Sequence, residues 1–163
     1  MRITLISMTT AVALALLVAP AGAVAASQPD DDLQQRIDLA LVEFPGGVQS
    51  ASNEITWGDG EVTLTLSDPD PASGADPDDA AARSIGSCAT GAHCVYSSTN
   101  LQGDRLSFSS CATASVAPLG SAVRSIANSG DAVVRAYNDL GAVGSVGANS
   151  WQNTSWSITK IGC

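Results

Sequence analysis

The stretch Cys94-Val95-Tyr96-Ser97-Ser98-Thr99-Asn100-Leu101-Gln102-Gly103 decides the fold, because the chain carries a second version of it. The partner is Arg135-Ala136-Tyr137-Asn138-Asp139-Leu140-Gly141-Ala142-Val143-Gly144. In each, a short strand-like run delivers a tyrosine and a glycine follows seven places later. A Ser-Ile pair comes later still, Ser125-Ile126 in one case and Ser157-Ile158 in the other. A glycine at a fixed place in a tight hairpin supplies a positive φ that other residues reach only under strain. The repeat therefore predicts two related four-strand units, with Gly103 and Gly144 at their hairpins. The surrounding segment, 84–163, is poor in charge and rich in Ser, Gly, Ala and Val. Short apolar runs at 93–96, 105–108, 123–126, 132–137 and 155–161 alternate with turn residues. That is the pattern of an all-β sandwich or barrel.

Upstream the pattern changes. Leu33, Ile37, Ala40, Leu41 and Phe44 recur at helical spacing, which predicts a helix over 30–44. Asp30, Asp31 and Asp32 stand at its start, where carboxylates suit free N–H groups and the helix dipole. Pro45-Gly46-Gly47 ends it. Segments 53–57 and 61–66 flank Gly58-Asp59-Gly60 and predict a hairpin. One helix and one hairpin make too little apolar surface for a core of their own. This leader, 27–66, either packs on the later domain or stays loosely folded.

Residues 67–83 read as an acidic Pro/Asp linker, with Asp68-Pro69-Asp70-Pro71 and Asp76-Pro77-Asp78-Asp79. Proline and like charges oppose compaction and invite proteolysis. The leader and linker together form a candidate pro-segment. At the start of the chain Arg2 precedes an apolar stretch over 3–18, Pro20, and small residues ending in Ala23-Val24-Ala25-Ala26. These describe an export signal over 1–26 rather than an anchor, which needs about 20 unbroken apolar residues. The expected product is secreted, with no membrane attachment once the signal is removed.

Charge is uneven. The chain carries a formal −9, which disfavours nucleic acid as a partner. Residues 27–83 hold thirteen acids against two bases, and residues 84–163 three acids against four bases. The asymmetry marks two pieces with different jobs, although acids that merely keep the leader soluble explain it as well. All four cysteines, Cys88, Cys94, Cys111 and Cys163, fall in the later piece. An even count in an exported chain reads as two disulfides, and the residues alone leave three pairings open. Zinc is disfavoured, since His93 is the sole histidine.

Catalysis finds no constellation. A Ser-His-Asp triad would have to use His93. Ser145, between Gly144 and Val146, does not complete a nucleophile elbow. Most carboxylates lie upstream of residue 84, and the linker cannot hold a pair at fixed separation. The chain is read as a non-enzyme without a cofactor.

Cys88-x5-Cys94-x-Tyr96 followed by Asn100-x-x-Gly103 resembles the opening of the Streptomyces metalloproteinase inhibitor family, peptidase inhibitor family 36. The resemblance covers about 86–163, well in the first half and loosely in the second. Leaders with Pro45-Gly46-Gly47 and Trp57-Gly58-Asp59-Gly60 look like those of secreted proteins grouped with that family. The resemblance implies a βγ-crystallin-like double Greek-key sandwich, with Tyr96, Gly103, Tyr137 and Gly144 as the hairpin signature. It also implies a Cys88–Cys94 bridge, with Cys111 and Cys163 as the other pair. In the chain-entropy model the short loop contributes about 2 kcal/mol and the long one about 4.

Two departures accompany the resemblance. The family's hairpin has an aromatic residue two places before its glycine, where this chain has Leu101 and Ala142. The best-known inhibitor holds its reactive bond in a second short disulfide loop, which this chain lacks. The resemblance further implies calcium positions at Gly120 and Ser121 and at Gln152 and Asn153. Both sets look degenerate, because calcium prefers several charged oxygens.

The role implied is inhibition of an extracellular peptidase, a metalloprotease among the candidates, by a monomeric protein. The loops available are 89–93 and the glycine-rich 139–147, the latter with Asp139, Leu140, Ala142 and Val143 as interaction residues. The second loop lies where the family's reactive loop falls, but it reads as unpinned and floppy. The other reading is a non-catalytic secreted binding or killer-toxin-like module of the same fold, with weak calcium binding and with Trp151 and Trp156 as candidate contacts. Of these, Trp156 is the better core residue.

Overall fold

The structure, a computed structural model, describes residues 29–67 and 85–163. The export signal predicted over 1–26 lies outside the described residues, as does the acidic linker apart from Ser67. The described residues are mostly β, in two antiparallel sheets with one α-helix.

Helix α1 spans Pro29–Glu43. Its apolar stripe buries Leu33 and Ile37, with Ala40 and Leu41 packed at the margin. The indole Nε1 of Trp57 donates to the Phe44 carbonyl at 3.0 Å, satisfying an acceptor just past the helix end. Strands β1 (Val48–Ala51), β2 (Glu54–Trp57) and β3 (Val62–Thr65) follow as an antiparallel meander. The sequence pattern does not mark β1, because its four residues are exposed and no buried face prints an alternation.

The later strands are β4 (His93–Tyr96), β5 (Arg105–Phe108), β6 (Ala114–Ser115) and β7 (Ser125–Asn128), then β8 (Val134–Asn138), β9 (Gly141–Val146), β10 (Ser150–Asn153) and β11 (Lys160–Gly162). The larger sheet runs β1-β2-β3-β5-β4-β7-β10 and the smaller β6-β11-β8-β9. Strands β4 to β7 form one unit and β8 to β11 the other. Each unit sends its third strand into its partner's sheet: β6 pairs with β11, and β10 pairs with β7.

The two sheets share a core. Val95, Leu106, Phe108 and Ile126 from the larger sheet cluster with Val134, Ala136, Val146 and Ile161 from the smaller. Leu33, Ile37, Ile55, Leu64 and Leu66 belong to the same cluster. Of the two states open to the helix and hairpin, the structure shows the packed one. β3 pairs with β5 along four residues, Val62↔Phe108 through Thr65↔Arg105, so the hairpin extends the later sheet.

Polar contacts reinforce this seam. Arg36 Nη2 meets Asp104 Oδ2 at 2.7 Å. The Ser67 amide and hydroxyl both donate to Asp104 Oδ1 at 2.8 Å. Arg36 Nη1 donates to the Ser67 carbonyl at 3.0 Å, and Arg105 Nη2 to Thr65 Oγ1 at 2.9 Å.

Candidate functional site

The first hairpin is built as a fold-back between β4 and β5. The Ser97 amide donates to the Asp104 carbonyl at 3.0 Å, and the Asp104 amide to Ser97 Oγ at 2.8 Å. Gly103 sits at φ +77°, where a Cβ would collide with Ser97 Oγ. Tyr96 is buried at the strand end, and burial raises its phenol pKa. Ser125 locks the loop: its hydroxyl donates to the Ser98 carbonyl at 2.7 Å and accepts from the Leu101 amide at 3.0 Å. The Ser-Ile pair noted in the sequence thus sits on β7, with its serine bonded to the hairpin and Ile126 in the core.

The second hairpin differs. β8 and β9 are joined by the two-residue turn Asp139-Leu140, with Asn138 facing Gly141. The Asn138 side chain accepts from the Leu140 amide at 2.9 Å, fixing the turn locally. The positive φ expected at Gly144 is found at Gly141 instead, at +132°. Gly144 lies in β9, and its lack of a Cβ makes room for the Trp156 ring, which would overlap one. Segment 139–147 is likewise corrected: it is no floppy loop but a turn followed by a six-residue strand paired to β8. The base is held as well. Buried Asn128 donates through Nδ2 to the Ala132 and Gly147 carbonyls at 2.7 and 2.9 Å.

At the tip Leu140 is 97 % exposed, and Asp139 and Ala142 are exposed beside it. Val143 is half-buried and packs on the core cluster. Among the large apolar side chains of the described residues, Leu140 is the one most open to water. Tyr137 is half-buried, and its carbonyl accepts from the Thr159 amide at 2.8 Å, tying β8 to the last strand.

The structure joins Cys88 to Cys94 and Cys111 to Cys163, with Cα separations of 5.8 and 4.8 Å. Loop 89–93 is pinned by its bridge and by the Gly91 amide donating to the Ser129 carbonyl at 2.8 Å. His93 is buried and stacked on Phe108 with ring centroids 5.2 Å apart, and burial lowers its pKa. Its Nε2 has no hydrogen-bond partner. A ring so placed packs in the core and does not face a substrate.

Gln152 and Asn153 lie on β10. Asn153 Oδ1 accepts from the Asn100 amide at 2.7 Å, so this oxygen already serves the first hairpin. No cluster of three or more His, Cys, Asp or Glu suited to a metal occurs among the described residues. Trp156 packs against the core, whereas Trp151 is 45 % exposed on β10.

Sequence reasoning missed Ser125, Asp104 and Asn128 as organising residues. Only Ser125 left a signal, as the first member of the Ser-Ile pair. The other two combine near contacts, to Ser97 and Ala132, with distant ones, to Ser67 and Gly147, that no local pattern prints.

No curated protein and no solved structure matches the chain. Residues 81–149, which contain the disulfide loop, the fold-back hairpin and the exposed tip at Leu140, match the model of Peptidase inhibitor family I36.

Proposed function

We propose that the protein is a secreted, non-catalytic peptidase inhibitor of double Greek-key, βγ-crystallin type that blocks its target with the β8–β9 hairpin. The family match supports the inhibitor role and a peptidase partner. The exchange of third strands between the two units supports the Greek-key reading. Two disulfides using all four cysteines suit an oxidising compartment, as the export-signal pattern does.

The observation that carries the mechanism is Leu140, almost wholly exposed at the tip of a turn with a pinned base. Leu140 enters an apolar subsite of the target, while Asp139 and Ala142 meet its rim. Hydrolysis needs the scissile segment extended, and the two-residue turn holds it folded, so the hairpin blocks the cleft without being turned over. An enzyme that prefers an apolar residue next to the cleaved bond, such as a thermolysin-like metalloprotease, fits this anchor.

Titrating the oxidised protein against such an enzyme is the test. Stoichiometric block without cleavage is expected, and Leu140→Asp abolishes it while leaving the thermal midpoint unchanged. Block that survives Leu140→Asp moves the contact to loop 89–93. No block of metallo-, serine or cysteine peptidases moves the function to a binding module using the exposed Trp151 face.

A further inference from the structure

The family match begins at residue 81, yet three of the seven strands in the larger sheet and the only α-helix among the described residues come from 29–67. Without that segment β5 would be an edge strand, its N–H and C=O groups bare along one side. Leu106 and Phe108, now opposite Leu64 and Val62, would lose those neighbours. An uncapped apolar edge is a template for wrong pairing. We propose that the β5 edge is a strand-acceptor site whose ligand is the helix–hairpin 29–67, and that this segment stays bound as a second chain if the backbone between Ser67 and Ile85 is cut.

Three kinds of contact argue for retention. The first is the four-residue ladder between β3 and β5. The second is apolar: Leu33, Ile37, Ile55, Leu64 and Leu66 are buried in the core cluster shared with both sheets. The third is polar and specific. Asp104 receives Arg36 and both donors of Ser67, and Arg105 reaches Thr65. Asp104 also forms part of the fold-back hairpin through Ser97, so acceptor site and hairpin share a residue. A groove of about 290 Å³ runs along the seam, lined by Arg36, Leu39, Phe44, Asp104, Pro118 and Leu119.

Leu140 is exposed with the segment in place, so docking does not mask the tip. The helix–hairpin is then a structural subunit and not a plug whose departure activates the protein. Its retention holds whether or not the protein blocks a peptidase.

A recognition sequence for a site-specific protease, inserted between Ser67 and Ile85 of the full chain, provides the test. After cutting, size exclusion at low micromolar concentration followed by denaturing intact-mass measurement is expected to find both pieces in one peak, one to one. A labelled synthetic peptide of 29–67 exchanges into the complex slowly, and its Arg36→Ala form competes several-fold less well. Elution of the helix–hairpin apart from the disulfide-bonded piece overturns the proposal, whether that piece stays folded or precipitates. Equal competition by the two peptides overturns the Arg36–Asp104 recognition.

Discussion

At the scale of single residues, the two hairpin glycines do different work. Gly103 supplies a left-handed turn next to Ser97 Oγ, so Gly103→Ala meets both strain and a collision. We expect it to lower stability by about 1–3 kcal/mol in urea unfolding. Gly144→Ala strains no dihedral but displaces the Trp156 ring, and near-ultraviolet circular dichroism should show the loss of indole packing. His93 gives a pH signature. Burial lowers its pKa below the ordinary 6.5, so the folded state holds it neutral while the unfolded chain takes up a proton below that value. Its contribution is full above 6.5 and is lost as pH falls toward the lower folded value. The urea midpoint should therefore drop as pH falls below 6.5, and His93→Phe should flatten that part of the decline.

At the scale of elements, α1 was legible because Leu33 and Ile37 keep one face in the core. β4 and β5 were legible because their apolar runs coincide with the strands. The strands at β6, β9 and β10 were not. β9 reads Gly-Ala-Val-Gly-Ser-Val, and β10 reads Ser-Trp-Gln-Asn. Such segments lack strand propensity of their own and become strands through the ladders offered by β8 and β7. The hairpin tip was legible as a place but not as a shape. Its turn depends on the Asn138 side chain, and its base on Asn128, ten residues before it in the chain. The packing of α1 makes a prediction at this scale. Ile37→Ala removes a fully buried side chain and should cost about 2–5 kcal/mol, seen as one lowered cooperative transition of the whole chain. A separate early melt of the helix would contradict the shared core. Replacing Cys111 and Cys163 together with serine should cost about 4 kcal/mol by the chain-entropy model and fray β11, measurable by faster amide exchange at Ile161.

At the scale of the whole molecule, two exchanged strands and one shared core carry a rigid hairpin with an apolar tip. The helix–hairpin that completes the larger sheet leaves that tip open. Whether the β8–β9 hairpin blocks a peptidase is decided by titrating a thermolysin-like enzyme with the purified oxidised chain, beside its Leu140→Asp variant. A linear fall in activity is expected, to an equivalence point near one inhibitor per enzyme, with the inhibitor's mass unchanged, and no fall with the variant. Full peptidase activity at a large excess of the folded wild-type chain, across metallo-, serine and cysteine classes, would contradict the inhibitor role.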